Sequence, residues 1–93
     1  MNYITITALD RYLGSEVLSI GQVVTLEKEP TNRYDAEAIK VLANKTKVGY
    51  VANSVYSVVR GTHSAGFIFR EFEEKTCATI RFIHDGIAIA ELS

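Results

Sequence analysis

The chain has 93 residues, which suffice for one domain and leave no room for a second hydrophobic core beside the first. Apolar residues make up 47% of the chain and charged residues 23%, so the composition excludes a disordered or fibrous protein. Ten basic and 11 acidic residues give a formal net charge of −1, which excludes the broad basic surface that coats phosphate backbones.

The single cysteine, Cys77, excludes a disulfide within the chain and a zinc site built from several cysteines. A reducing compartment is expected, because secreted domains of this size usually carry several disulfides. The first residues lack the basic and apolar regions of a signal peptide, and no stretch approaches about 20 apolar residues. We therefore expect a cytoplasmic protein without membrane contact, and we expect Cys77 to be a buried, unreactive thiol.

Alternating apolar and polar residues predict two strands in the first third of the chain. Residues 3–9 place Ile4 and Ile6 on one face and Thr5 on the other, and residues 22–28 repeat this pattern more loosely. A loop is expected between the two strands.

A hairpin is predicted in the middle of the chain. Pro30 begins a turn. Two strands follow at residues 38–43 and 47–52, and the connection between them is short enough for a hairpin.

A short helix is predicted after this hairpin. Asn53 and Ser54 can cap it, valines recur at i, i+3 and i+4 from Val55, and Gly61 can end it after barely two turns. The aromatic-rich residues 67–72 fit either a strand or a buried turn.

The last two strands, at residues 76–84 and 87–92, flank Asp85-Gly86, which is the strongest short-range signal for a type I′ hairpin. Six short strands, one short helix and no βαβ rhythm predict a single, mainly β domain over residues 1–93, either a small barrel or a sandwich. The barrel is favoured because closure removes the exposed edges of short strands.

No motif for enzymatic chemistry is present. The sequence lacks a phosphate-binding P-loop and a dinucleotide-binding glycine motif, and His63 and His84 have no metal-binding spacing. We therefore expect no catalytic residues, no metal and no cofactor.

The most informative stretch is E-P-T-N-R-Y-D-A-E-A-I-K-V at residues 29–41, followed by V-G-Y-V at 48–51. A proline turn brings polar and aromatic side chains to the start of an apolar strand. Two interpretations are open from spacing alone. The turn residues bind a ligand, or they cap their own backbone while Tyr34 folds over the core.

The pattern E-P-x-N-x-Y-D-x-x-A-I-x-V followed by V-G-Y-V closely resembles the HIRAN domain, most specifically over residues 3–60. HIRAN domains occur N-terminal to Swi/Snf-type DNA-repair ATPases and as stand-alone bacterial proteins. The resemblance implies an OB-like or SH3-like barrel of six strands with one or two short helices. It also implies binding of single-stranded DNA, with a preference for a 3′ end, in DNA repair or processing.

The resemblance also implies roles for individual residues. Tyr34 matches the aromatic residue that stacks on a terminal base, and Asp35 matches the acid that contacts the terminal sugar. The other positions implied in nucleic-acid binding are Arg11, Tyr12, Asn32, Arg33, Val48, Gly49, Tyr50 and Asn53.

This sequence departs from the family pattern at the position after Val-Gly-Tyr-Val. Ala52 and Asn53 replace a basic residue that often holds phosphate there, so the alternative is that Asn53 serves only as a helix N-cap. The rival function is a protein-interaction module that keeps the fold without binding DNA, and a small nuclease is the third hypothesis. Single-stranded nucleic acid, a separate helicase or nuclease, and a second copy of the chain are the candidate partners, with the choice between DNA and RNA open.

Overall fold

Six antiparallel strands close into a barrel in the order β1-β4-β3-β2-β5-β6 in the computed structural model, which describes residues 2–93. The strands are β1 Tyr3–Thr7, β2 Val23–Lys28, β3 Ile39–Ala43, β4 Thr46–Val51, β5 Lys75–His84 and β6 Ile87–Leu92. One short α-helix, α1 Ala65–Ile68, continues into the 3-10 turn Phe69–Glu71, and two other 3-10 turns are Leu9–Arg11 and Ser15–Val17. The mainly β, six-stranded barrel predicted from the sequence is confirmed.

Along each strand, inward-facing and outward-facing residues alternate, and the inward-facing ones fill the barrel interior. Large aliphatic side chains from β1 to β5 are fully buried, and β5 and β6 add small ones on the opposite wall. The large residues include Ile4, Ile6, Leu26, Ile39, Val41 and Ile80, and the small ones are Ala78, Ala88 and Ala90. Pairing large with small residues across the interior fills a narrow barrel without voids.

Both tight hairpins have two central residues in the left-handed region. Asp85 and Gly86 have φ values of 48° and 78°, so both central residues of the predicted turn are left-handed, as a type I′ turn requires. Asn44 and Lys45 have φ values of 51° and 70°, and β4 accordingly begins one residue earlier than predicted.

A β-bulge in β4 sets which side chains face outward. Val41 pairs with Gly49, but the next residue of β3, Leu42, pairs with Lys47, so Val48 is an extra residue. Lys40 pairs with Tyr50. Lys47 and Tyr50 therefore lie opposite Leu42 and Lys40, which are only two residues apart on β3. The bulge therefore turns Lys47 and Tyr50 to the same outer face although they are three residues apart in sequence.

The helix predicted after Asn53 is wrong, because residues 53–62 form turns and α1 begins only after Ser64. Val55 is 88% exposed, so the valine spacing does not produce a buried stripe. The Ser64 side chain accepts a hydrogen bond from the Phe67 backbone and caps α1. Residues 67–72, predicted as strand or buried turn, lie instead mostly in α1 and the following 3-10 turn.

The loop of residues 53–62 also explains why Thr5 is fully buried although it lies on the face of β1 opposite Ile4 and Ile6. Its Oγ1 lies 2.8 Å from Thr62 Oγ1 and accepts a hydrogen bond of 3.1 Å from the Val59 backbone nitrogen. These bonds hold the loop against β1 and satisfy the buried hydroxyl, so the loop gains a fixed position without regular structure.

Cys77 was predicted to be buried, and this is wrong. The thiol is exposed, because Ala78 takes the inward position of β5 and the alternation of the strand turns Cys77 outward. No helix within residues 2–93 is long and apolar enough to span a membrane.

β4 approaches β1 closely at Gly49. A Cβ at Gly49 would lie 2.6 Å from the backbone oxygen of Thr7, whereas a Cβ at Gly66 would lie 2.6 Å from Oε1 of the flexible Glu37 side chain. We expect Gly49→Ala to lower the free energy of unfolding by about 1–3 kcal/mol, because a strand backbone must shift. Gly66→Ala is the matched control and should cost less, since the Cβ would meet only side-chain atoms, of Glu37 and of Asn53 at 3.2 Å, which can adjust, and alanine favours a helix. Equal losses in urea unfolding would contradict the assignment of Gly49 to strand packing.

Candidate functional site

An open cleft of about 380 Å³ lies where the turn after β2 meets the end of β4. We call it the Tyr34 cleft. Ser54 and Ser57 add hydroxyl groups to its wall. Of the residues predicted to bind nucleic acid, it brings together Arg11, Asn32, Tyr34, Asp35, Tyr50 and Asn53.

Asn32 shapes the turn that presents Tyr34. Its Oδ1 accepts hydrogen bonds from the backbone nitrogens of Tyr34, at 2.9 Å, and Asp35, at 3.1 Å. This Asx-type turn leaves the Tyr34 side chain 92% exposed. The alternative in which Tyr34 folds over the core is therefore wrong.

Asp35 both caps the turn and faces the cleft. Its Oδ1 accepts a hydrogen bond of 2.9 Å from the Glu37 backbone nitrogen, and its Oδ2 accepts one of 2.8 Å from Asn53 Nδ2. The capping role considered from the sequence is thus present. Because an ionised carboxylate offers about four lone-pair sites, these two bonds leave it able to accept more.

Asn53 connects two segments that are distant in sequence. While its Nδ2 donates to Asp35, its Oδ1 accepts a hydrogen bond of 2.8 Å from the Gly66 backbone nitrogen in α1. Asn53 therefore does not cap a helix that follows it directly, as the sequence had suggested. It holds α1 against the turn after β2.

Glu29 lies behind the cleft at the centre of a charged cluster. Its Oε1 accepts hydrogen bonds of 2.8 Å from Asn32 Nδ2 and 2.6 Å from the Tyr50 hydroxyl. Its Oε2 lies 3.5 Å from Lys47 Nζ and 4.0 Å from Lys40 Nζ. The prediction of site residues omitted Glu29, although it is the first residue of the matched motif and its position there was the available signal.

The cluster shifts the pKa values of Glu29, Lys47 and Tyr50. Desolvation acts to raise the pKa of Glu29, but hydrogen bonds from Tyr50 and Asn32 and the positive charge of Lys47 outweigh it, so this pKa is lowered. Desolvation, followed by the hydrogen bond to Glu29, raises the pKa of Tyr50. The hydrogen bond to Tyr50 is the largest cause of a raised pKa at Lys47. The cluster therefore keeps Glu29 ionised and the Tyr50 hydroxyl protonated.

The remaining predicted site residues lie outside the cleft. Val48 is buried in the core, Gly49 packs against β1, and Arg33 is exposed beside Tyr34. The Tyr12 ring lies 6.3 Å from that of Tyr50 between ring centroids, and Lys47 Nζ lies near both rings. Tyr12 thus extends the aromatic surface behind the cleft.

Within residues 2–93, no group of three or more histidine, cysteine or acidic side chains is placed to hold a metal ion. His84 lies 3.1 Å from Asp85 at the exposed tip of the last hairpin. His63 stacks on Phe67 and is described below.

The chain is thus a closed six-stranded barrel with an exposed tyrosine and a carboxylate in an open cleft. The model of the HIRAN domain family matches residues 1–79, and the chain belongs to this family, which is generally linked to nucleic-acid binding. The crystal structure of a protein from Lactobacillus plantarum has a similar fold, with a TM-score of 0.70 at 18% sequence identity over 99% of this chain and 89% of that chain. No curated protein matches the sequence.

Replacing Glu29 tests the charged cluster. We expect Glu29→Gln to lower the free energy of unfolding at pH 7 by about 1–2 kcal/mol, because hydrogen bonds to an ionised group are stronger than those to an amide. Glu29 has a folded-state pKa below its ordinary value of 4.5, so its ionisation stabilises the fold above that pH and ceases to do so as the pH falls through the lowered pKa.

The difference between wild type and variant, measured by urea unfolding, should therefore be constant above about pH 5 and shrink toward pH 3. Glu73→Gln, at an exposed carboxylate before β5, is the control and should change little. A difference that does not depend on pH would show that the charge of Glu29 is not what stabilises the cluster.

Proposed function

We propose that the domain binds the 3′ end of single-stranded DNA in the Tyr34 cleft, without catalysing a reaction on it, and serves DNA repair or processing. The observation that supports this most strongly is a fully presented tyrosine ring, Tyr34 at 92% exposure, directly beside the Asp35 carboxylate in an open cleft. A ring exposed to this extent contributes little to the core, so its place in the cleft favours a binding role.

The chemistry of the cleft suits a terminal nucleotide. Tyr34 offers a free ring for stacking on a base, a contact worth about 1–3 kcal/mol. Tyr50 offers a second ring, whose hydroxyl is already bonded to Glu29. Asp35 can accept a hydrogen bond from a sugar hydroxyl and would repel a phosphate at the same point.

Few cations are available for the phosphate backbone. Arg11 lines the cleft and Arg33 is exposed next to Tyr34, whereas Lys47 faces the Glu29 carboxylate. Binding should therefore depend mainly on base stacking and on the hydrogen bond between Asp35 and the terminal sugar hydroxyl of the DNA, with a modest contribution from counterion release.

One observation favours the rival function, a protein-interaction module. Asn53, at the position where a cation often holds phosphate, has its amide nitrogen and oxygen bonded to Asp35 and Gly66. The side chain thus has a structural role that does not depend on DNA. Titration with short single-stranded DNA at low salt separates the two functions, because the protein-interaction module would not bind it.

Substitution of Tyr34 tests the stacking contact. We expect Tyr34→Ala to weaken binding of a labelled oligonucleotide by about 1–3 kcal/mol in fluorescence anisotropy while the unfolding transition is unchanged. Tyr56→Ala is the matched control, since Tyr56 is 96% exposed and does not line the cleft. Equal affinity losses in the two variants, or none in Tyr34→Ala, would rule out stacking in the cleft.

The terminal group tests end recognition. An oligonucleotide with a 3′-hydroxyl should bind at least about tenfold more tightly than its 3′-phosphorylated counterpart, a difference of roughly 1.4 kcal/mol. Asp35→Asn should narrow this difference, because the variant removes the negative charge. It should also lower the free energy of unfolding by about 1–3 kcal/mol, because the new amide nitrogen must face either the Glu37 backbone nitrogen or Asn53 Nδ2, and both of these are donors. Equal binding of both oligonucleotides by the unmodified protein would exclude end recognition.

A further inference from the structure

A second cleft, of about 460 Å³, adjoins the Tyr34 cleft on the other side of Asn53 and Ser54, which line both. We call it the Phe67 cleft. Its wall combines apolar side chains, among them Val55, with hydroxyl groups from Thr62 and Ser64. The two clefts therefore form one continuous surface, divided by the side chain that links Asp35 to α1.

The Phe67 cleft contains a preformed aromatic stack. The rings of His63 and Phe67 are 4.3 Å apart between centroids and 10° from parallel, and Phe67 is 60% exposed. The His63 backbone nitrogen donates to the Tyr3 carbonyl at 2.7 Å, which anchors this residue to β1. The backbone nitrogen of Phe67 donates to the capping Ser64 side chain at 3.2 Å. Both rings thus extend from a fixed backbone.

We propose that the Phe67 cleft binds a nucleobase on the 5′ side of the terminal nucleotide, stacked on Phe67. This inference rests on the proposed function, because it takes the 3′ end to lie at Asp35. One amide, that of Asn53, bridges the Asp35 carboxylate and the Gly66 backbone next to Phe67. A strand leaving the Tyr34 cleft across Asn53 would therefore meet the Phe67 ring.

The composition of the Phe67 cleft favours a nucleobase over an apolar peptide segment. An exposed aromatic ring surrounded by amide and hydroxyl groups can stack on a base and bond to its edge without selecting a sequence. No carboxylate lines this cleft, whereas Glu71 lines the cavity on the other side of Phe67. Phosphate repulsion therefore directs a strand toward the Phe67 cleft.

Oligonucleotide length separates the two sites. Thymidylates of one and six nucleotides, each with a 3′-hydroxyl, are titrated into isotope-labelled protein and followed by NMR, which measures weak binding. Both should shift the signals of Tyr34 and Asn53, and only the longer one should shift those of His63 and Phe67. Phe67→Ala should weaken binding of the longer oligonucleotide by about fivefold to 150-fold and leave the shorter one unaffected.

Two variants control for the fold and for the ring. Phe82→Ala removes a phenylalanine that is 63% exposed but lines neither cleft, so it should not change binding of either oligonucleotide. Phe67→Tyr keeps an aromatic ring and should retain most of the affinity for the longer one.

Unchanged binding of the longer oligonucleotide by Phe67→Ala, with Tyr34→Ala still weakening both, would overturn this inference and leave the proposed function standing. If neither oligonucleotide binds, both this inference and the proposed function are overturned.

Discussion

The site depends on the hydrogen bonds and ion pairs of the Glu29 carboxylate, because they connect the turn after β2 to the outer face of β4. Through one oxygen the carboxylate holds Asn32, which shapes the turn carrying Tyr34, and the hydroxyl of Tyr50, which faces the same cleft. Through the other it faces Lys47 and Lys40. A carboxylate bonded in this way fixes the backbone that carries Tyr34 relative to the Tyr50 ring, so that the cleft is formed before any ligand arrives.

The cluster itself depends on the register of the barrel. Regular alternation would place Lys47 and Tyr50, three residues apart, on opposite faces of β4. The extra residue at Val48 turns both outward, and Gly49 then lets β4 approach β1 without a side chain against the Thr7 carbonyl. The Val-Gly-Tyr segment therefore contributes to the site mainly through backbone geometry, and only Tyr50 contributes a side chain to the cleft.

The sequence predicted the parts of this structure that depend on local periodicity. Alternation located the six strands, and Asp85-Gly86 identified a hairpin whose φ values match the expected turn. The helix was misplaced because valine spacing describes a helical face only where that face is buried, and Val55 is exposed. Glu29 was missed for a related reason, since two of its partners, Lys47 and Tyr50, lie on β4 and a bulge there turns both of them toward it.

The balance of charge limits how such a site can select its ligand. The positive charges of Lys40 and Lys47 lie within 4.0 Å of Glu29, and Asp35 offsets Arg11 in the cleft, so little net charge faces a phosphate backbone. Affinity from counterion release grows with the number of phosphates neutralised, which makes it insensitive to where a strand ends. Stacking and a carboxylate hydrogen bond depend instead on a free base and a free hydroxyl. A nearly neutral barrel with an exposed tyrosine beside a carboxylate is therefore better suited to recognising an end than to coating a strand.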